Sequence, residues 1–352
     1  MAFLDPARTA SVDVIVPCYR YGHFLEECVG SILAQAGVAT RAIVIDDASP
    51  DGSAEVGAEL ARRHAAVTFV RHATNKGAIA TYNEGIEWAE ADYLLLLSAD
   101  DALVPDTLRF STQLMDRRPE VGFSFGNCLS LFEDGSLKLV RPLGGGAPSG
   151  PQVFGGETFI RRCGATNIVP TPTAVVRTTL QKRLGGYLPE LPHSGDMEMW
   201  FRLAVHGSVG FTDETQGVYR RHDRNMSQGY DTAGGLPDLQ QRKLAIDLFV
   251  ERQADALANP EGWRAHLYRD LARVAVTRAS SVFNTGDLSA SWALSSFAAT
   301  LDPRLRTSLP WLKLGAKRLA GPRGWRLLQG ALSSARGKPS ARGKAAAGTH
   351  PA

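Results

Sequence analysis

The sequence predicts an α/β fold with a mainly parallel central sheet flanked by helices, and three observations carry that expectation. Strand-like and helix-like segments alternate strictly through about the first 110 residues. The fourth strand contains four consecutive leucines, Leu94 to Leu97, and that apolar run ends in two adjacent carboxylates, Asp100 and Asp101. Strict alternation is the signature of parallel strands joined by right-handed crossovers. An unbroken apolar run suits a strand covered on both faces, and open sheets of this kind place ligands at the carboxyl ends of their strands.

Residues 12–17 are β-branched and stop at Pro17, which makes them the first strand. Apolar residues at helical spacing, Phe24, Cys28, Ile32 and Leu33, predict a helix over 24–35. A second strand over 41–47 ends in Asp46 and Asp47 and is closed by Ser49-Pro50-Asp51-Gly52. A helix over 53–64, a third strand over 67–71, a turn at Asn75-Lys76-Gly77 and a helix over 79–90 lead to the leucine strand. A helix start is expected around Val104-Pro105-Asp106. Beyond it the rhythm breaks. Strands are expected over 121–131 and 173–177, a mobile Gly/Pro-rich loop over 139–156 able to close on a ligand, and a helix over 196–206. Residues 239–299 read as largely helical, and the chain beyond Arg336 as disordered.

The chain has 352 residues and a net charge of +3, which conceals a division. Eleven of its 39 Lys and Arg lie from Pro303 onward with no Asp or Glu among them, so residues 1–302 carry 28 basic against 36 acidic side chains. An acidic body disfavours nucleic acid as a partner. Cys18, Cys28, Cys128 and Cys163 show no metal-binding or redox spacing, and reduced buried thiols are expected. The first residues lack a basic start with a long apolar centre, and no stretch is apolar for the length of a membrane span, so a cytoplasmic protein is expected.

Neither a G-x-G-x-x-G after the first strand nor a G-x-x-x-x-G-K-[ST] occurs, which leaves dinucleotide oxidoreductases and P-loop nucleotidases unsupported. Asp100 and Asp101 repel each other unless a cation or hydrogen-bond donors compensate them, and a hard divalent ion shared with phosphates is one solution. Capping of the next helix is the other. Capping of the following turn is likewise the alternative for Asp46 and Asp47.

Taken in order, Pro17-Cys18-Tyr19-Arg20, Asp46-Asp47-Ala48-Ser49, Asn75-Lys76-Gly77 and Ser98-Ala99-Asp100-Asp101 resemble the motifs of family 2 glycosyltransferases, over roughly residues 11–230. The resemblance implies the GT-A nucleotide-sugar fold, with a nucleotide half over 11–110 and an acceptor half over 111–230. A helical extension over 231–335 and a basic tail over 336–352 would follow. It implies that Pro17, Tyr19, Asp46 and Asp47 hold the nucleoside, and that Lys76, Gly77 and Asn83 lie near the nucleotide. Asp100 and Asp101, with His222, would hold a Mn or Mg ion. Ser98 stands where the family most often has a further Asp. His193-Ser194-Gly195-Asp196 opens a segment that resembles the acceptor side of the family, which makes Asp196 the catalytic base, with helix capping as the alternative. Arg220, His222, Asn225 and Ser227 resemble a motif near the diphosphate, and Gly185-Gly186-Tyr187 a turn framing the acceptor.

The expected activity is inverting, metal-dependent transfer of a sugar from a nucleotide donor, UDP-linked by preference, to a glycan or lipid-linked acceptor in surface polysaccharide synthesis. A catalytically silent nucleotide-sugar-binding or scaffold protein of the same fold is the alternative. A nucleotidyltransferase is disfavoured because no glycine- and arginine-rich loop follows the first strand. Trp311, Leu312, Leu314, Leu319, Trp325, Leu327 and Leu328 interleave with Lys313, Lys317, Arg318, Arg323 and Arg326. Such a stretch either lies on an anionic membrane surface, making the protein peripheral, or packs as helices with a solvated basic face.

Overall fold

The computed structural model describes residues 9–144, 149–225 and 229–335. The parallel half of the sheet forms as the alternation predicts: β1 (Ser11–Cys18), α1 (Gly22–Leu33), β2 (Ala39–Asp46), α2 (Ser53–Arg63), β3 (Val67–Arg71), α3 (Ala78–Trp88) and β4 (Tyr93–Leu96). Then come β5 (Ala102–Leu103), α4 (Thr107–Arg117), β6 (Val121–Phe132), β7 (Leu137–Val140), β8 (Gln152–Phe154), α5 (Gly156–Cys163), β9 (Val175–Arg177), α6 (Thr178–Leu184), α7 (Gly195–His206) and β10 (Ser208–Arg221). The order across the sheet is β3-β2-β1-β4-β9-β6-β10-β5, with β7 on β6 and β8 on β10.

β3, β2, β1 and β4 are mutually parallel, and the antiparallel β9 joins them to the second half. The chain winds from β1 out to β3 and then crosses back to β4 on the other side of β1. That reversal leaves a crevice at the carboxyl ends of β1 and β4, the place where doubly wound sheets bind ligands. The β1–β4 pairing continues past the strands: Leu97 N–H donates to the Ile15 carbonyl at 2.9 Å and Ala99 N–H to that of Pro17 at 3.3 Å. Asp100 is thereby carried to the side of Cys18 and Tyr19.

Burial follows the strand pattern. Val12, Val14 and Val16 point into a cluster with Leu25, Val29 and Ile32 of α1, and each such side chain contributes roughly 1.5–3 kcal/mol by leaving water. On the opposite face Ile15 meets α3 at Gly85, where a β-carbon would lie 2.1 Å from Ile15 Cγ2. Only glycine allows helix and strand that close.

Several expectations are corrected. Residues 139–156 were expected as one loop, but the described part carries the end of β7 and all of β8, each paired as an edge strand; residues 145–148 lie outside the described set. β10 was not foreseen at all, because Asp213, Glu214 and Gln216 interrupt its apolar pattern; two register shifts between Thr212 and Gly217 are the structural counterpart. The expected disorder beyond Arg336, like Ser227, also falls outside the described residues.

The chain divides into two compact units, Met1–Leu271 and Ala272–Ala352, and the division falls inside a helix. α8 (Leu236–Arg252) belongs to the first unit because it buries Leu239, Ile246, Phe249 and Val250, with the Phe249 ring 5.4 Å from that of Phe201 in α7. α9 (Pro260–Thr285) crosses the boundary. The second unit continues with α10 (Leu288–Leu301) and α11 (Leu309–Ala335), the latter broken at Gly321, whose φ is 68°. No helix among the described residues is long and apolar enough to cross a membrane.

Candidate active site

A cleft of about 1400 Å³ opens in the first unit above the crevice between β1 and β4. One wall of the cleft includes Pro17, Tyr19, Asp47 and Gly77, the floor Ser98 and Asp100, and the far wall Tyr187 and Asp196. Of the residues expected at the site, Asp46, Lys76, Asn83, Asp101, Arg220 and His222 are absent from that lining.

The two aspartates after β2 divide their tasks. Asp46 is fully buried, takes the Ser49 N–H on Oδ1 at 3.2 Å and faces the Arg71 guanidinium at 3.4 Å, so it closes the turn. Asp47 faces the cleft. Its Oδ1 accepts the Lys76 N–H at 2.7 Å and lies 2.7 Å from His72 Nδ1, while Oδ2 accepts the Gly77 N–H at 2.9 Å. Burial pushes this carboxyl up, but the bonds from His72 and the two backbone N–H groups outweigh it and hold Asp47 below its ordinary value. Lys76 contributes only its backbone here, since its ammonium pairs with Glu84 at 2.9 Å. Gly77, at φ 86°, takes a conformation that a side chain would strain.

The acidic pair is equally asymmetric. Asp101 turns inward: Oδ1 accepts the Arg220 N–H at 2.9 Å, and burial together with the neighbouring Asp100 charge drives its carboxyl well above the ordinary range. Asp100 faces the cleft, with Oδ2 3.1 Å from His222 Nε2 and 3.3 Å from Asn225 Nδ2. Burial raises the Asp100 carboxyl, and the bond from His222 only partly offsets this. Among the described residues no three His, Cys, Asp or Glu form a metal-binding group. The side chains here that suit a hard cation are Asp100 and His222, since the Asn225 amide oxygen accepts the His222 backbone N–H at 2.8 Å and its Nδ2 is the end that faces Asp100; most of a six-coordinate shell is left to phosphate oxygens and water.

Arg220 points away from the cleft. Its guanidinium donates to the Asp100 carbonyl at 3.0 Å and to Glu27 at 2.8 Å, and lies over the Phe24 ring at 4.4 Å. Side chains alternate along a strand, so the next residue, Arg221, faces the cleft instead, as does Arg224 beyond the strand end. The period-two rule applied to a β10 recognised in the sequence would have found Arg221.

On the far wall, Asp196 stands in the first turn of α7, where the helix dipole favours a negative charge. The Thr171 hydroxyl donates to its Oδ2 at 3.0 Å and the Tyr187 hydroxyl to its Oδ1 at 3.0 Å. Burial raises the Asp196 carboxyl, and those two bonds partly counter it. Neither Thr171 nor the role of Tyr187 was visible in the sequence, because each reaches Asp196 only through the fold. Glu198, two residues on, is buried and bonded to Arg202 at 2.9 and 3.0 Å.

Residues 13–133 match the model of the family described as Glycosyl transferase family 2. The uncharacterised protein MT1568 of Mycobacterium tuberculosis is 27% identical over 232 residues, which cover 62% of this chain and 69% of that protein. Among solved structures, S. aureus TarS 1–349 in complex with UDP-GlcNAc superposes with a TM-score of 0.62 at 15% identity, covering 92% of this chain and 91% of that one. The mannosyltransferase PcManGT from Pyrobaculum calidifontis, in complex with GDP-Man and Mn2+, gives 0.52 at 20% identity, covering 90% and 88%. At these identities the structural likeness is one of fold.

Proposed function

We propose that the chain, whose residues 13–133 match the family 2 glycosyltransferases and whose fold is of the GT-A type, transfers a sugar, with inversion, from a nucleoside-diphosphate donor to a hydroxyl of a glycan or lipid-linked acceptor in surface polysaccharide synthesis. The observation that carries this proposal is that Asp196, oriented by two hydroxyl donors, shares one cleft with Asp47, Tyr19 and Asp100.

The nucleoside lies against Pro17 and the half-exposed Tyr19 ring. Asp47, already held by His72 and two backbone donors, keeps one lone pair on Oδ2 to accept an N–H from the base, which suits the imide of uracil. The donors bound by TarS and PcManGT, UDP-GlcNAc and GDP-Man, support a nucleotide sugar here. The diphosphate then extends toward Asp100, where Arg221 and Arg224 meet its charge. A divalent cation held by Asp100 and His222 would neutralise part of that charge when bound, and the Mn2+ of PcManGT supports this assignment.

Across the cleft, Asp196 accepts the proton of the acceptor hydroxyl as the oxygen attacks the anomeric carbon. The new glycosidic C–O bond forms as the bond to the diphosphate breaks, and the electron pair leaves on the β-phosphate oxygen. One carboxylate is enough, because displacement from the face opposite the leaving group inverts the centre in a single step. Burial raises the basicity of Asp196 and so brings it closer to the working pH. The reaction is proposed to occur in the cytoplasm.

Calorimetric titration of UDP and GDP, with and without Mn2+, into wild type and Asp100→Ala tests the donor site. Metal-dependent binding that the variant loses is expected. Metal-independent binding of equal strength in both proteins would sink the cation assignment, and retention of the donor's anomeric configuration in the product would sink the inverting mechanism.

A further inference from the structure

The first segment of α11 is turned inside out. Lys317 is only 3% exposed, and its ammonium donates to the Ser280 carbonyl at 3.1 Å, to Ser280 Oγ at 2.7 Å and to Asn284 Oδ1 at 2.9 Å. Arg318 donates to the Ser291 carbonyl at 2.8 Å and to Ser295 Oγ at 2.9 Å, and stacks on the Trp292 ring at 3.6 Å. Meanwhile Leu309, Leu312 and Leu319 are 82%, 56% and 92% exposed. With the exposed Ala316 they stand at i, i+3, i+7 and i+10, so they form one stripe along the helix. Leu314 is the leucine of this segment that is fully buried.

A helix that only covers a core shows the reverse polarity, apolar inward and charged outward. Scattered exposed leucines need no explanation, but a continuous stripe opposite two inward-turned cations does. The charge around it identifies the occupant. Lys313 sits on the same face, Arg306 and Arg323 are exposed nearby in sequence, and from Pro303 to the end of the chain there are eleven basic residues and no acidic one. A second copy would bring two such basic arrays together, whereas an anionic lipid surface complements them.

We propose that the Leu309-Leu312-Ala316-Leu319 stripe is a docking face for an anionic lipid bilayer. The leucines enter the boundary between headgroups and acyl chains while Lys313 and the other cations stay among the headgroups. The inference is independent of the transfer chemistry, since it rests on the second unit alone.

Co-sedimentation of the full chain with phosphatidylcholine vesicles, with and without phosphatidylglycerol, tests it. Wild type is expected to bind the phosphatidylglycerol vesicles, and less well at high salt. Leu312→Ser with Leu319→Ser should weaken that binding by more than about tenfold, from the apolar area no longer buried. Lys313→Ala should weaken it about fivefold. Both leucines are exposed, so the melting temperature should not move. No binding to phosphatidylglycerol vesicles, or binding that survives loss of the leucines, overturns the proposal. So does a wild type that elutes as a dimer which the leucine variant converts to monomer, because a second copy would then cover the stripe.

Discussion

Asn83 of α3 holds the backbone of Tyr187 with both ends of its amide: Nδ2 donates to the Tyr187 carbonyl at 2.9 Å, and Oδ1 accepts the Tyr187 N–H at 2.7 Å. Gly186 makes the approach possible, since a β-carbon there would lie 2.2 Å from Asn83 Oδ1. From the other side Arg202, paired with buried Glu198, donates to the carbonyls of Leu184, Gly185 and Gly186. The turn is thus clamped by the nucleotide half and by α7 together, and the hydroxyl it presents is the one that orients Asp196. A residue expected beside the nucleotide acts instead on the turn that orients Asp196.

Replacing Asn83 with Ala removes both bonds, each worth about 0.5–1.5 kcal/mol net. The expected result in steady-state kinetics is a several-fold fall in kcat with the donor KM unchanged, because the loss is felt at Asp196. A raised donor KM with intact kcat would instead mean that Asn83 touches the nucleotide.

The same turn sets the pH dependence. Burial raises the Asp196 carboxyl, and the Tyr187 and Thr171 hydroxyls lower it by bonding to the charged form. As the proposed base, Asp196 must be ionised, so activity should fall as pH drops through its folded value, and that acid limb should lie above the ordinary aspartate range. Tyr187→Phe removes a lowering contribution and should therefore move the limb to higher pH. Asp196→Asn should cost about 10²–10⁴ in kcat at every pH while nucleotide binding persists. A limb that Tyr187→Phe leaves in place would show that another group titrates.

Asp100 and Asp101 are neighbours with opposite expected phenotypes. Asp100→Asn removes a buried charge that its surroundings only partly compensate, so the melting temperature should hold or rise while metal-dependent nucleotide affinity falls. Asp101→Ala leaves the buried Arg220 N–H without its acceptor, which costs about 1–3 kcal/mol, and should lower the melting temperature. Calorimetric unfolding beside nucleotide titration separates the two effects. Equal losses of nucleotide affinity with unchanged stability in both would mean that both carboxylates face the ligand.

The sequence makes the parallel half legible because each of its strands is a short apolar run closed by a turn-forming group, and the motifs at those strand ends are contiguous. Position along the chain is then nearly position in the cleft, and Pro17, Tyr19, Asp47 and Asp100 come together accordingly. The second half is legible only in its helices. β10 carries Asp213, Glu214 and Gln216 within the strand, and without its register the facing of Arg220 and Arg221 could not be assigned. Thr171 and Tyr187 meet Asp196 from separate segments, a convergence with no trace in local spacing. Asn83, Asp46 and Lys76 match motif positions, yet their side chains brace the turn at Tyr187, the turn after β2 and Glu84 respectively.

The facing of β10 leads to the remaining prediction. Arg221 lies over the Tyr219 ring at 4.5 Å and lines the cleft, whereas Arg220 is committed to Glu27, Phe24 and the Asp100 carbonyl. A charge-assisted bond to phosphate is worth about 1.5–3 kcal/mol, so Arg221→Ala should weaken nucleoside diphosphate binding by roughly ten- to a hundredfold with little change in melting temperature. Arg220→Ala should instead lower stability by on the order of 1 kcal/mol, since its partner Glu27 is largely exposed and its contact with Phe24 is modest. Nucleoside monophosphate separates the two further: it lacks the outer phosphate, so its affinity should depend less on Arg221 than that of the diphosphate does. If Arg220→Ala proves the more damaging to diphosphate affinity, the strand must present its other face to the ligand.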